Sequence, residues 1–283
     1  SGTFGYGEEF ERFSDLRRLG GICVKGTSAR PIDGNLPPRL FPTPSGMLNS
    51  IGLENVGVDA FIRDKMPFLR KAGCAVFVNV FGFTGGEYAE VVDKLNTCDG
   101  IAAYELNISC PNTERGGLVF GQNPALTHQL TRLLKDRSAR PIIVKLSPNV
   151  TDIAELARAA EDGGADAITV ANTFLAMAID TATFKPRIHN ITGGLSGPAI
   201  RPITLRMVYQ CARAVKIPVI GLGGIASAED AVEYFLAGAS AIQVGTANLY
   251  SPRAPLDILE GLEKFLKKRG FSGMRDLIGQ MKQ

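Results

Sequence analysis

The chain has 283 residues, 45% of them hydrophobic, so it can bury the core of one large α/β domain or two ordinary ones. Its 31 basic and 28 acidic side chains give a net charge of +3 without a basic block, which disfavours nucleic acid and anionic membranes as partners. No apolar run reaches the roughly eighteen residues that a transmembrane helix needs, and residues 1–7 lack a signal-peptide pattern, so we expect a cytoplasmic protein.

Strand and helix patterns alternate along the chain. The first predicted strand ends in a lysine, and the segment 27–49 after it, rich in proline and glycine, predicts a long loop that lines a site. The predicted strands are 20–25, 75–80, 102–108, 141–146, 167–171, 218–222 and 241–244. The predicted helices are 58–71, 87–95, 124–136, 152–161, 203–215, 228–236 and 255–268. Because the strands are mostly continuous apolar runs separated by helices, they predict a parallel sheet covered on both faces.

These repeats predict a single (β/α)8 TIM barrel, an α/β fold, over residues 1–283, since no linker rich in proline, glycine or charge divides the chain. Seven strands are predicted, whereas a closed barrel of this kind has eight. The run Ser1-Gly-Thr suits the loop that follows a strand, so we expect the first barrel strand to lie upstream of Ser1. An open sheet, or eight parallel strands within 1–283, would contradict this expectation.

Three glycine-rich turns follow predicted strands near the C-terminus. Gly221–Ile225 comes at the end of strand 218–222, Gly245-Thr246 follows the last strand, and Gly193–Gly197 closes an insertion after strand 167–171. The loops after the last two strands of such barrels commonly bind phosphate, because backbone N–H groups without side chains can approach an anion. Each turn alone is a weak signal, but together they predict a phosphate-bearing ligand.

Polar residues recur at the ends of the other predicted strands. They are Lys25, Asn79, Asn107, Lys145, Asn172 and Thr173. A single lysine or asparagine at a strand end is usually solvated or caps the strand, but a set at successive ends can point into one cleft and bind a planar, carbonyl-rich ligand. Lys145 follows Ile-Ile-Val, and a buried cation needs an anionic or electron-rich partner, such as a reduced flavin ring.

Cys110 lies just after strand 102–108, where Pro111 cannot continue a central ladder. In a barrel this is the rim on which active sites are built. The five cysteines are odd in number, widely spaced and without a C-x-x-C pair, which argues against a disulfide framework, a structural zinc site or an iron–sulfur centre. We expect Cys23, Cys74 and Cys211 to be small buried hydrophobes, whereas the position of Cys110 favours chemistry.

Several motifs resemble those of a known family. They are Glu-Leu-Asn-Ile-Ser-Cys-Pro-Asn at 105–112, Val-Lys-Gly-Thr at 24–27, Asn-Ser-Ile-Gly-Leu at 49–53, Val-Lys-Leu at 144–146 and Gly-Leu-Gly-Gly-Ile at 221–225. With them the whole chain resembles the dihydroorotate dehydrogenases, the flavin enzymes of pyrimidine synthesis. Residues 3–9 and 114–121 are similar to the NAD-linked class 1B catalytic subunit rather than to the fumarate-linked class 1A enzymes, and class 2 enzymes have a serine in place of Cys110.

The resemblance implies that Cys110 removes the C5 proton of dihydroorotate while a hydride passes from C6 to N5 of FMN. The implied substrate contacts are Lys25, Asn49, Ser50, Ile51, Gly52, Leu53, Asn107, Asn112, Asn172 and Thr173. The implied FMN contacts are Ser1, Lys25, Gly26, Asn79, Asn107, Lys145, Ala171, Gly197, Gly223, Gly224, Gly245 and Thr246, the last four around the phosphate. Ala171 replaces the larger aliphatic residue that is usual there, but a backbone contact would survive this change. No metal site is implied.

The expected electron acceptor lies outside this chain. No G-x-G-x-x-G fingerprint follows a strand and no cysteine cluster is present, so the sequence has no evident path from FMN to NAD. The resemblance implies a separate electron-transfer subunit that carries FAD and a 2Fe–2S cluster, and a homodimer of catalytic subunits at the centre of a heterotetramer.

Two other functions are compatible with these motifs. One is another FMN-dependent barrel oxidoreductase, of the fumarate-linked dihydroorotate or the dihydropyrimidine dehydrogenase type. The asparagines at 49, 107, 112 and 172 favour orotate, because its planar ring carries both amide and carboxylate groups. The other is a barrel that binds a phosphate ligand without catalysis, for which a purified chain would show no yellow flavin spectrum.

Overall fold

The computed structural model describes residues 1–109 and 120–282. Its strands are Gly21–Thr27 (β1), Leu40–Thr43 (β2), Gly46–Asn49 (β3), Ala75–Val80 (β4), Ala103–Asn107 (β5), Ile142–Lys145 (β6), Ala167–Val170 (β7), Phe174–Met177 (β8), Ile179–Asp180 (β9), Lys185–Pro186 (β10), Thr192–Ser196 (β11), Val219–Leu222 (β12) and Ala241–Gln243 (β13). Its α-helices are Val58–Ala60 (α1), Met66–Leu69 (α2), Gly85–Asn96 (α3), Pro124–Lys135 (α4), Ile153–Asp162 (α5), Arg201–Ala214 (α6), Ala228–Leu236 (α7), Ala247–Tyr250 (α8) and Ala254–Arg269 (α9).

The central sheet contains all seven predicted strands. They pair in the order β1–β4–β5–β6–β7–β12–β13, and every pair is parallel. β6 and β7 are buried along their whole length, which explains why they are continuous apolar runs in the sequence. The predicted α/β class and the parallel sheet are confirmed, with strand ends that differ from the prediction by two residues or fewer.

The sheet curls strongly. β13 lies four strands away from β5 in the sheet order, which is about 19 Å in a flat sheet with strands about 4.8 Å apart. Yet Gln243 on β13 donates a hydrogen bond from Nε2 to Glu105 Oε2 on β5 at 2.8 Å. The curl is that of a TIM-type barrel. No strand of the described residues joins β13 to β1, so the closing strand upstream of Ser1 and the single barrel domain 1–283 stay predictions.

Side-chain caps fix where several helices begin after the carboxyl ends of the strands. Thr84, Asn123, Asp152 and Ser227 each accept a hydrogen bond from a backbone N–H in the first turn of α3, α4, α5 and α7. Such caps satisfy N–H groups that the helix itself leaves unpaired. Because each cap fixes where its helix begins, it also fixes the length of the loop before that helix. These loops lie at the edge of the sheet where the polar residues were predicted.

The predicted helix 58–71 is interrupted. It consists of α1, a π-helical stretch from Phe61 to Lys65, and α2. Pro67 in the first turn of α2 has no N–H to donate, so the regular ladder cannot run through this position. The other predicted helices match within two residues.

The prediction of a long loop over 27–49 is wrong for the second half of this segment, which forms the hairpin β2–β3. This hairpin belongs to a four-stranded antiparallel sheet in the order β2–β3–β11–β8. β3 pairs with β11, which lies in the insertion after β7, so the partner is remote in sequence and no local pattern indicates it. Among the described residues, no helix has both the length and the apolar character needed to cross a membrane.

Candidate active site

A buried carboxylate lies at the centre of the curled sheet. Glu105 on β5 is 0% exposed. Its Oε1 accepts hydrogen bonds from Asn79 Nδ2 at 2.8 Å and from the Cys23 thiol at 3.2 Å. Its Oε2 accepts from Gln243 Nε2 at 2.8 Å and from Thr169 Oγ1 at 2.9 Å. A buried charge needs such partners, so this network holds the carboxylate ionised and in one orientation.

Lys145 at the end of β6 forms an ion pair with this carboxylate. Its Nζ lies 3.7 Å from Glu105 Oε1 and donates a hydrogen bond to Ser1 Oγ at 3.0 Å. Burial by itself raises the pKa of Glu105, but the Lys145 ammonium and the hydrogen bonds from Gln243 and Cys23 lower this pKa below its ordinary value. An ammonium has three N–H donors, so Lys145 keeps donors for a ligand.

The ends of β5 and β7 bring two predicted substrate-binding asparagines together. Asn172 Nδ2 donates to Asn107 Oδ1 at 3.2 Å, and the Tyr88 hydroxyl donates to the Asn107 carbonyl at 2.5 Å. The Thr173 N–H donates to Asn172 Oδ1 at 2.8 Å, and the Ala171 N–H donates to the last carbonyl of β12 at 3.0 Å. These bonds fix the polar cluster at the carboxyl edge of the sheet.

Lys25 lies near the end of β1 beside a second carboxylate. Its Nζ lies 3.4 Å from Glu54 Oε2, which also accepts from the Arg39 guanidinium at 2.7 Å. Burial acts to raise the pKa of Glu54, but the two cations lower it. A Cβ at the adjacent Gly26 would lie 3.1 Å from Asn79 Oδ1, so glycine leaves room above this amide.

The predicted substrate-binding segment 49–53 leaves the antiparallel sheet at the end of β3. Asn49 Nδ2 donates to the Gly194 carbonyl at 3.1 Å, and Leu53 has a φ of 59°, which marks a tight turn. Ser50 Oγ is buried and has no hydrogen-bond partner among the described residues. A buried hydroxyl in this state suits a ligand that supplies the missing partner.

The three glycine turns lie against one another. Gly224 has a φ of 69°, and a Cβ there would lie 2.8 Å from the Gly197 carbonyl. A Cβ at Gly197 would lie 3.5 Å from Thr246 Cγ2, and Thr246 Oγ1 donates to Ser196 Oγ or accepts from it at 2.7 Å. Together with Gly245 they form one glycine-lined surface. Residues from three separate turns are thus available to one anion, as predicted for a phosphate.

Two buried hydroxyls form hydrogen bonds to the backbone of this glycine-lined surface. The Tyr234 hydroxyl donates to the Gly223 carbonyl at 2.5 Å, and Thr204 Oγ1 donates to the same carbonyl at 3.2 Å. Tyr234 and Thr204 are both 0% exposed. They therefore fix the backbone of the Gly223-Gly224 turn rather than contact a ligand.

The comparison with known proteins decides the family. A sequence model of the family described as dihydroorotate dehydrogenase matches residues 1–266. The chain belongs to the dihydroorotate dehydrogenase family. Catalytic subunits named dihydroorotate dehydrogenase B (NAD(+)) from Geotalea uraniireducens and Trichlorobacter lovleyi are 52% and 53% identical over 281 residues, 99% of this chain and 92% of their own. A protein of Solibacter usitatus named putative dihydroorotate dehydrogenase A (fumarate) is 56% identical over 282 residues, 100% of this chain and 93% of its own.

These relatives confirm the predicted dihydroorotate dehydrogenase family and, through the B-type catalytic subunits, the predicted class. The name of the Solibacter protein refers to a different electron acceptor, fumarate.

The described residues fit the FMN that this dihydroorotate dehydrogenase resemblance implies. The glycine-lined surface suits a phosphate, and Lys145 offers N–H donors to an electron-rich ring. Gln243 Oε1 is buried and, like Ser50 Oγ, has no partner among the described residues. Acceptors and donors for a polar ring and an anion site therefore occur along the same edge of the sheet.

Two predicted site residues, the base Cys110 and the substrate contact Asn112, lie outside the described residues, so their roles stay predictions. The described residues before and after these two positions come together just after β5, since the Gly121 N–H donates to the Ile108 carbonyl at 2.9 Å. Both ends of the stretch that contains Cys110 thus lie at the predicted edge of the sheet.

The sequence did not assign a role to several residues of the buried network. Glu105 lies within a quoted motif, and a lone charge in an apolar strand was its signal. Gln243 and Thr169 carry no such signal. The prediction that Cys23 acts only as a small buried hydrophobe is wrong, because its thiol donates to Glu105. Burial, together with the Glu105 charge, raises the pKa of Cys23 to about 12.

Replacing Tyr234 by Phe should weaken FMN binding, because the Gly223 carbonyl loses the closer of its two hydroxyl donors and the turn is held less firmly. We expect a loss of about 1 kcal/mol in unfolding free energy and severalfold weaker binding in a fluorescence titration of the FMN-free chain. Tyr104→Phe is the matched control, because this fully buried tyrosine instead donates to Asn96 Oδ1 at 3.1 Å. Equal losses of FMN affinity in both variants would contradict the assigned role.

Proposed function

We propose that the chain oxidises dihydroorotate to orotate in pyrimidine (UMP) biosynthesis, with Cys110 as the base that removes the C5 proton. FMN, when bound, accepts the hydride from C6. The observation that supports this function best is the convergence of the predicted lysines, asparagines and glycine turns at the carboxyl edge of one curled parallel sheet, in a chain of this family.

The polar side chains of the site match the groups of the substrate. Lys25 and the amides of Asn49, Asn107 and Asn172 supply donors and acceptors to a ring that carries N–H groups, carbonyls and a carboxylate. Lys145 is buried beside Glu105 and supplies donors to the flavin ring. A titration with orotate and with uracil tests this assignment, since a dihydropyrimidine dehydrogenase type of site would bind uracil instead.

Flavin reduction by dihydroorotate should become faster as the pH rises from about 6 to about 9. A free thiol has a pKa of about 8.5, so the thiolate fraction of Cys110 rises roughly tenfold per pH unit below that value. The pKa values of Glu105 and Glu54 lie below their ordinary range, so these carboxylates keep their charge over the same interval. Anaerobic stopped-flow rates measure the effect, with orotate affinity as the control for binding. A rate that does not change with pH would argue against Cys110 as the base.

The electrons are proposed to reach NAD through a partner subunit that carries FAD and a 2Fe–2S cluster. The names of the B-type relatives support this route, and a homodimer within a cytoplasmic heterotetramer goes with it. We expect the reduced chain alone to be oxidised by neither NAD nor fumarate at a catalytic rate, and NAD turnover to appear when the subunit is added.

A second candidate is direct use of fumarate, which the name of the Solibacter relative favours. Steady-state turnover of dihydroorotate with fumarate by the purified chain, without a partner, would establish that candidate and overturn the NAD route.

A further inference from the structure

The carboxylate of Glu105 touches two side chains that the sequence assigns to the flavin. Its Oε1 accepts from Asn79 Nδ2 at 2.8 Å and lies 3.7 Å from Lys145 Nζ. Its Oε2 is fixed by Thr169 and Gln243 at 2.9 and 2.8 Å. Thr169 and Gln243 thus hold Oε2 in place, while Oε1 contacts the two predicted flavin contacts, Asn79 and Lys145.

Stability alone does not explain why the barrel buries this charge. A buried ion pair can often be replaced by well-packed apolar residues without loss of stability, because desolvation offsets most of the attraction between the charges. Glu105 is 0% and Lys145 5% exposed, so both pay this desolvation penalty. A role in orienting neighbouring groups accounts for the pair better than a contribution to stability.

A carboxylate only accepts hydrogen bonds, and this fixes the direction of both neighbouring amides. Because Asn79 donates through Nδ2, its Oδ1 is turned toward Gly26, where a Cβ would lie 3.1 Å away. Because Gln243 donates through Nε2, its Oε1 is left buried without a partner among the described residues. The two amide oxygens are therefore presented as acceptors, and the Lys145 ammonium as a donor.

We infer that Glu105 is a positioning residue that aims Lys145, Asn79 and Gln243 at the flavin ring. The inference rests on the proposed flavin function. Glu105 is 0% exposed and enclosed by these neighbours, so an effect on flavin binding would pass through them. Among the described residues, the charged and titratable groups that face it are Lys145 from β6, the Cys23 thiol from β1 and the Ser1 amino group, while Asn79, Thr169 and Gln243 are neutral.

The test is a double-mutant cycle of Glu105→Gln, Lys145→Met and the double variant. FMN affinity is measured by fluorescence titration of the FMN-free full chain at pH 7. We expect each single variant to bind FMN at least about tenfold more weakly and the double variant to lose less than the product of the two.

Two further variants keep the result interpretable. Glu161→Gln makes the same charge change where the carboxylate accepts from the Lys216 and Ile217 N–H groups before β12, and should leave FMN affinity unchanged. If Glu105→Gln does not fold, as judged by circular dichroism, Thr169→Val removes one hydrogen bond to Oε2 and retains the charges. It should weaken binding by about threefold, and only when Lys145 is present.

The outcomes separate the inference from the proposed function. A wild-type chain that binds no FMN would overturn both. If the wild type binds FMN, a double variant whose loss of affinity equals the product of the two single losses would overturn the positioning role alone. A Thr169→Val variant with unchanged affinity would do the same where Glu105→Gln cannot be used.

Discussion

Replacing Cys110 by Ala should abolish the reduction of bound FMN by dihydroorotate and leave the FMN in place. A positioned general base typically contributes 10²–10⁴-fold to rate, so we expect a loss of about this size. FMN should remain bound because Cys110 is not among the predicted phosphate or ring contacts. Anaerobic stopped-flow absorbance gives the reduction rate, and the visible spectrum of the purified variant gives the FMN content.

The control for this variant is Cys74→Ala, which removes a half-buried thiol just before β4, at the amino edge of the sheet and not at the carboxyl edge where the site is predicted. It should leave the rate unchanged. Cys23 cannot replace the missing base, since burial and the Glu105 charge raise its pKa to about 12 and keep it protonated near neutrality. A Cys110→Ala enzyme with the wild-type rate would contradict the proposed mechanism.

Replacing Gly224 by Ala should weaken FMN binding by tenfold to about a hundredfold. Gly224 has a φ of 69°, and a Cβ there would lie 2.7 Å from Arg201 Cβ and 2.8 Å from the Gly197 carbonyl. The turn therefore has to move, and strain at such positions costs about 1–3 kcal/mol, which corresponds to this change in affinity. Fluorescence titration of the FMN-free chain with FMN measures the effect.

Gly270→Ala is the matched control for Gly224→Ala. Gly270 ends α9 with a φ of 73°, so alanine meets the same backbone penalty, but a Cβ there would have nothing within 4 Å. We expect about 1 kcal/mol lower stability and an FMN affinity within about twofold of the wild type. Equal losses of affinity in the two variants would show that the effect is global destabilisation and not a change in the phosphate turn.

The sequence predicts the central sheet well because its strands are buried on both faces. Such strands are short apolar runs with turn residues at their ends, and the predicted strand 75–80 coincides with β4. The hairpin β2–β3 could not be predicted in the same way. Its stability depends on pairing with β11, which is far along the chain, and its own residues carry only a weak strand pattern.

The candidate site likewise has one part that the sequence predicts and one part that it does not. The strand-end lysines, asparagines and glycine turns were predictable because parallel strands bring their carboxyl ends to one edge. The network around Glu105 was not, because it depends on the curl that places Gln243 on β13 beside β5. Cys23 has apolar neighbours in sequence, and only the fold reveals its contact with a carboxylate.

The most direct test of the proposed activity is anaerobic addition of dihydroorotate to the purified, FMN-loaded chain. We expect the yellow flavin absorbance to bleach as one orotate is formed for each FMN reduced, and orotate to bind where uracil does not. A flavin that stays oxidised with dihydroorotate, or a purified chain that neither contains nor binds FMN, would contradict the proposal.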